Sequence, residues 1–512
     1  KIIFTYITQG PDNFYRVLLI FQPRWHCCDF SLIEHVHKQS FKNIIHVVTK
    51  GNLIVPICHG KAQKFRATLS STPVTANFSA GLKALLNIDV NYVLFYTPLF
   101  NQGTDFWWKA PADFACNIQD AKFKNIGPQP IMDEEGNPVQ PFGISKNPYS
   151  ILDVADICYV NPVTTGYSRA MEGVDVKQFY GINEDIKYLS DWITTFVTRQ
   201  NRWLSPKYLI GESYGTPRVS GLSYALQDGH SMYLNGVILV SPTELGIRRD
   251  GPVKEAMTLP YMCATAWYHK ALAADLQNKD LNDILPEVEQ FTINEYIPAL
   301  SWGGNLTPEK RQAIAEKVAH YSGISVKDIM QHNLTISTRH YWKELLRDRD
   351  FTIGRLDSRY RGRDVKTGGE TGEYDAEMVS WNHSFTPAYN WYVRNELNFK
   401  TDVEYHMLAS VYPWNRQNEH TGTDLMQAVR ENPHLKVLLQ SGYYDGACDY
   451  FNAKYNFWQM DKGGKFQDRF TIKGYRCGHM MYVRHEDMKQ ANEDIREFIK
   501  ASIPTDGHPA AY

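Results

Sequence analysis

A chain of 512 residues that is 43% hydrophobic and 21% charged has the composition of an ordinary globular protein, long enough for one large core or several domains. Fifty-four Lys and Arg against 56 Asp and Glu leave a formal charge of −2, which provides no basic footprint for nucleic acid or anionic lipid. No apolar run approaches the roughly 18 residues that a membrane span requires, and an aromatic content of 13% with balanced charge argues against disorder.

Residues 1–125 are the least readable part of the chain. They hold only seven acidic residues (Asp12, Asp29, Glu34, Asp89, Asp105, Asp113, Asp120), leaving 49 of the 56 to the remainder, and four of the eight cysteines. The start at Lys1 marks a processed product or a fragment, and no signal-peptide pattern is visible. Apolar runs at 17–21 and 92–96 have the length of buried strands. Trp25, His26, Cys27 and Cys28, with His35, His37, His46, Cys58 and His59, offer soft ligands, but their irregular spacing reads as scattered residues. No metal site or cofactor is expected. The segment is either divergent or out of frame.

From about Gly127 the pattern sharpens. Residues 155–160 read as a strand. Residues 183–198 read as a helix with the stripe Ile186, Leu189, Trp192, Ile193 and Phe196, and with Glu184 and Asp185 in its first turn, where the dipole favours them. A strand at 207–210, a turn, a helix from 217 to about 226 and a strand at 237–240 follow. Strands alternating with helices predict a mostly parallel sheet covered on both faces.

Between about 244 and 433 that alternation stops. Helical stretches at 255–273, 307–321 and 326–333 are separated by polar loops such as 360–374, and the Lys and Arg residues around 355–363 read as a solvated loop. Trp381, Phe385, Tyr389, Trp391 and Tyr392 read as helix-core packing, with an acyl-side pocket as the alternative. Strands at 435–439 and 470–473 and a helix at 486–500 then resume the order. The expected organisation is an N-terminal segment (1–125), a core in two parts (126–243 and 434–505), a helical cap (244–433) and a tail (506–512).

Gly211-Glu212-Ser213-Tyr214-Gly215 has the form G-x-S-x-G between an apolar strand and a helical stretch. In that context a sharp turn projects a serine above a sheet. A serine hydroxyl needs a base, and the base needs an orienting group. Strand 435–439 runs into Asp445 and strand 470–473 into His479, both just past a strand's C-terminal end. Ser213 is thus the candidate nucleophile, His479 its base and Asp445 the orienting carboxylate, with Asp449 as the competing acid. Cys448 and Cys477 lie two or three residues from these positions, as a disulfide or as two buried thiols.

These motifs resemble those of the serine carboxypeptidases, on the α/β-hydrolase fold. Gly211 to Gly215 is similar to the family's serine motif including its glutamate. Gly442-Tyr443-Tyr444-Asp445 looks like its aspartate loop, and Gly478-His479-Met480 like its histidine loop. Asn147-Pro148-Tyr149-Ser150 with Asp153, Asn161-Pro162-Val163 and Thr165-Gly166-Tyr167-Ser168-Arg169 resemble its other signature strand and turn. The resemblance covers about residues 127–505 and is closest to bacterial members. It implies removal of C-terminal amino acids from peptides with a free C-terminus through an acyl-enzyme, without a cofactor, in a secreted or periplasmic protein. It also implies that Glu212 shares a proton with the substrate's α-carboxylate, and that the Tyr214 N–H is one oxyanion donor.

The family's Asn-Gly-Gly-Pro-Gly-Ser loop has no counterpart here. Its nearest match, Phe100-Asn101-Gln102-Gly103-Thr104, nominates Gly103 for the second oxyanion donor and Asn101 for the substrate carboxylate. Thr164 and Thr216 stand where glycines are common. Two other functions remain open: ester hydrolysis or acyl transfer by the same three residues, and a non-catalytic relative lacking the glycine-rich loop.

Overall fold

The computed structural model describes strands Val93–Thr97 and Phe114–Cys116 and then residues 129–503, apart from 131, 140–142, 406–407 and 418. Six strands form one sheet: β1 (Val93–Thr97), β2 (Asp156–Tyr159), β3 (Lys207–Glu212), β4 (Gly236–Val240), β5 (Lys436–Gly442) and β6 (Phe470–Tyr475). Their order is β6-β5-β4-β3-β1-β2, and every neighbouring pair is parallel. Parallel strands that follow one another in the chain require crossovers. These are α1 (Ile182–Arg199) between β2 and β3, α2 (Gly215–His230) between β3 and β4, and α5 (Tyr450–Met460) between β5 and β6. The long β4–β5 connection contains most of the helical cap, including α3 (Leu259–Tyr268), and returns through α4 (Thr421–Glu431); α6 (His485–Ala501) follows β6. This is the expected α/β-hydrolase architecture with a helical cap.

β3 and β4 are buried at every position, which is why they read as continuous apolar runs. Successive side chains go to opposite faces. Leu209, Val237, Leu239 and Val437 pack against Leu189, Ile193 and Val197 of α1, Val219 and Leu222 of α2, and Leu425 of α4. Ile210, Ile238 and Leu438 pack on the other face, with Ile495, Phe498 and Ile499 of α6. Burying each such side chain contributes about 1.5–3 kcal/mol before entropy is counted.

The helix expected over 255–273 is two, Pro252–Ala256 and α3. Pro260 stands in the first turn of α3, where its missing N–H is tolerated, and a new helix starts there instead of the old one continuing. Residues 355–363 correct the expectation of a solvated loop. Leu356, Asp357, Ser358, Arg359 and Tyr360 are all buried, and the chain surfaces only from Arg361. The charge went in because its counterion is two residues away: Arg359 Nε and Nη2 donate to Asp357 Oδ1 and Oδ2 at 3.0 and 2.7 Å. Trp381 and Phe385 are core residues under the sheet, and Tyr392 is buried in a smaller cluster, so packing is their role. Among the described residues no helix is long and apolar enough to cross a membrane.

Candidate active site

β3 ends at Glu212, and the chain turns at Ser213 into α2. Ser213 has φ +52°, a left-handed conformation that costs a non-glycine residue about 1–3 kcal/mol. The turn is held from both sides. Ser213 N–H donates to Val240 O on β4 (2.9 Å), and Ser213 O accepts from Thr216 N–H (2.9 Å) and Thr216 Oγ1 (2.5 Å). A Cβ at Gly211 would lie 2.2 Å from the Gly215 carbonyl oxygen, so only glycine lets strand and helix cross this closely. Thr216 suits the turn: its hydroxyl also accepts Thr243 N–H at 3.2 Å. Thr164 has φ +71°, where glycine would be unstrained, and its hydroxyl accepts from Tyr180 Oη at 3.1 Å.

Tyr214 caps α2, so its N–H stands at the positive end of the helix dipole. Arg218, one turn on, lies over the Tyr214 ring and donates to Asp185 of α1. Burial raises the Asp185 pKa, and the guanidinium opposes it.

β5 and β6 are adjacent, with Gly442 opposite Tyr475, so the loops bearing Asp445 and His479 leave the sheet side by side. A Cβ at Gly442 would lie 2.1 Å from Gly478 O, which makes the contact between these loops dependent on glycine. His479 Nδ1 lies 2.6 Å from Asp445 Oδ2, and both side chains are wholly buried. Asp445 Oδ1 accepts the N–H groups of Ala447 (2.9 Å) and Cys448 (3.0 Å). A carboxylate so placed accepts from Nδ1–H and leaves the imidazole lone pair on Nε2. Nε2 is buried and makes no hydrogen bond of ordinary geometry to the described residues.

The Cys448 thiol is in reach of both the His479 ring and the Ser213 hydroxyl, so these side chains converge. Burial disfavours the charged imidazole, but the Asp445 carboxylate outweighs it, aided by Cys448, and holds His479 well above its ordinary 6.5. Cys448 and Cys477 are free thiols. Asp449, the competing carboxylate, instead caps α5 by accepting Asn452 N–H at 2.8 Å.

Glu212 is buried, only 1% exposed. Tyr482 Oη, from the short turn Met481–Val483 after His479, donates to Glu212 Oε1 at 2.6 Å. Tyr482 carried no recognisable sequence signal. Neither did residues 355–360, which bridge both loops from the cap. Leu356 O accepts His479 N–H (2.7 Å), and Asp357 Oδ2 accepts Gly478 N–H (3.2 Å). Ser358 N–H donates to Tyr444 O (3.0 Å), and Gly446 N–H to Arg355 O (3.0 Å). From the other side, Thr265 Oγ1 on α3 bonds Ser358 Oγ (2.8 Å) and His269 Nε2 donates to Ser358 O (2.6 Å). Burial lowers the His269 pKa to about 4, so this histidine is a neutral structural donor.

Asn101 and Gly103 lie outside the described residues. β1 ends at Thr97, in register with Gly211 and so two residues short of the elbow serine.

Similar solved structures include MenH from S. aureus, at 12% identity and TM-score 0.30 over 81% of this chain and 96% of that one. A carboxylesterase of the thaumarchaeon Nitrososphaera gargenis is 8% identical with TM-score 0.33, over 81% and 92%. A monoglyceride lipase variant from Saccharomyces cerevisiae is 12% identical with TM-score 0.31, over 81% and 88%. At these values none carries an argument about chemistry. No curated protein sequence matches. The sequence model described as "Serine carboxypeptidase" matches residues 115–491, well over half of the chain and all three converging side chains, and the chain therefore belongs to the serine carboxypeptidase family.

Proposed function

We propose that this protein is a serine-type carboxypeptidase that releases C-terminal amino acids from peptides, exported to the periplasm or beyond. The observation that carries the proposal is the buried Asp445–His479 pair, whose imidazole shares the Cys448 contact with the left-handed Ser213. His479 Nε2 takes the Ser213 Oγ proton as the Oγ–carbon bond forms at the scissile carbonyl. Asp445 stabilises the imidazolium, which then gives its proton to the leaving amine as the C–N bond breaks. Water repeats the sequence on the acyl-enzyme, releasing the acid and restoring Ser213.

The Tyr214 N–H is the first oxyanion donor. The second is drawn from the residues after Thr97, with Gly103 as the candidate, because β1 ends beside the elbow. Glu212, already accepting from Tyr482, shares a proton with the substrate's α-carboxylate, helped by Asn101. Such a carboxyl pair holds only at mildly acidic pH.

The test is amino-acid release from an N-blocked dipeptide and its C-terminal amide at pH 5 and pH 7, with Ser213→Ala as control. Release that needs Ser213 and prefers the free carboxylate, with that preference over the amide larger at pH 5 than at pH 7, supports the proposal. Equal turnover of the amide, or turnover of simple esters alone, replaces it with ester hydrolysis. A folded protein that turns over neither is a non-catalytic relative.

A further inference from the structure

Away from Ser213, the cap brings two histidines and two carboxylates together. Asp328 and His332 are one turn apart, on the helix Val326–Gln331 and at its C-cap. His340 comes from the next helix, Thr338–Glu344, and Glu370 from the loop beyond the buried bridge. Asn333 and Leu334, at φ +53° and +72°, make the reversal between the helices. Two successive non-glycine residues in that region are a strained turn. It places the His332 and His340 rings with centroids 4.3 Å apart.

His340 is only 5% exposed, and each of its nitrogens faces a carboxylate: Nε2 is 2.9 Å from Asp328 Oδ2 and Nδ1 is 2.8 Å from Glu370 Oε2. Ionised carboxylates only accept, so one bare imidazole cannot satisfy both. His332 adds a lone pair rather than a proton. Its Nδ1 lies 2.9 Å from the Asp328 carbonyl, which can only accept, and this fixes the proton on Nδ1 and the lone pair on Nε2. A second proton on His340 balances its own two carboxylates, and a dication balances them together with the His332 lone pair. One ligand atom each from Asp328, His332 and His340 lie within 4.8 Å of one another.

We infer that the cap holds a divalent metal ion, zinc by its donor set, ligated by Asp328, His332 and His340. Two imidazoles and a carboxylate suit zinc better than calcium or magnesium, which take oxygen. Glu370 accepts from the remaining N–H of His340, the arrangement in which a carboxylate behind a ligating histidine fixes its tautomer and strengthens it as a donor. The ion staples the two short helices to the loop bearing Glu370. That loop is also held by Lys343 Nζ on Lys366 O (2.7 Å) and by Arg347 on Thr367 O (2.7 Å) and Gly369 O (2.8 Å). No step of the proposed hydrolysis runs through the site.

The experiment is calorimetric titration of chelator-stripped full-length protein with zinc chloride at pH 7.5, repeated with cobalt(II) to read its absorption bands. Asp445, Cys448 and His479 form a second set of ligand atoms within 4.8 Å, so Cys448→Ser is included to separate the two. The expected result is one tight equivalent, unchanged in Cys448→Ser, with cobalt bands lacking the thiolate charge-transfer feature. His332→Ala, at a side chain 33% exposed and outside the packed core, should weaken binding by about 10²-fold or more, and Glu370→Gln by about 10-fold to 10²-fold. Binding weaker than about 100 μM in the wild type overturns the inference, as does binding lost in Cys448→Ser but kept in His332→Ala, since structural zinc sites bind far more tightly.

Discussion

The sheet and the segment that interrupts it contribute to the site in different ways. Ser213, Asp445 and His479 hang from the C-terminal ends of β3, β5 and β6, where a parallel sheet delivers its loops to one edge. The cap supplies none of them, yet residues 355–360 hold the aspartate and histidine loops through main-chain and Asp357 contacts. Chemistry on the proposed reading therefore sits on strand ends, while much of its alignment is borrowed from a neighbouring element. The serine, aspartate and histidine can be named without the cap, but their geometry here cannot be explained without it.

That division predicts a hierarchy of effects. The largest belong to the strand ends. Ser213→Ala should reduce kcat by about 10⁶-fold with an unchanged melting temperature. Asp445→Asn should cost about 10⁴-fold. It should also move the pH midpoint of serine labelling by a fluorophosphonate downward. The base must be neutral to act, so labelling in the wild type rises with pH through the elevated pKa of His479; removing the carboxylate that elevates it lowers that midpoint. A midpoint that stays put in Asp445→Asn would break the assignment of Asp445.

The bridge comes next. Asp357→Asn weakens the grip on Gly478 N–H and Arg359, and should lower kcat by about 10-fold to 10²-fold while leaving KM nearly unchanged. A loss confined to thermal stability, with kcat intact, would mean that the bridge supports the fold and not the alignment of His479. Glu212→Gln should act in the opposite sense, raising KM for a free C-terminus by about 10-fold with a smaller effect on kcat, and should leave ester turnover unaltered.

The smallest effect concerns stability alone. Glu377, wholly buried on the helix Ala376–Trp391, accepts Leu356 N–H at 2.8 Å. Burial, then the Asp375 carboxylate, pushes its pKa up to about 8 from an ordinary 4.5. The folded state holds this proton more tightly than the unfolded chain. Its contribution to stability is therefore complete below pH 4.5 and is lost as pH rises through 8. Thermal melts of Glu377→Gln across that window should depend less on pH than those of the wild type.

Much of the sheet was legible because its signals are local. β3, β4 and β5 are apolar runs bounded by turns, α1 shows its stripe, and the G-x-S-x-G turn stands between strand and helix where sterics require Gly211. The cap was legible only as helices. The 355–363 segment was misread because a charged sequence looks solvated until its partners are known, and Arg359 goes inside with Asp357. Along the chain Asp445 is the nominated acid and Asp449 its competitor; the packing of two loops gives the first to His479 and the second to a helix N-terminus. Tyr482, the Leu356 carbonyl and the meeting of His332, His340, Asp328 and Glu370 could not be read at all.

By itself, then, the sequence determined the alternation of strands and helices, the elbow, and which residue types end each strand, because these follow from periodicity and backbone sterics acting over a few residues. Only the tertiary structure decided which carboxylate pairs with the imidazole, which tyrosine meets Glu212 and which cap segment bridges the loops. Those contacts join residues between about 30 and 270 positions apart, and burial and hydrogen-bond satisfaction act on whatever folding brings together, not on neighbours in the chain.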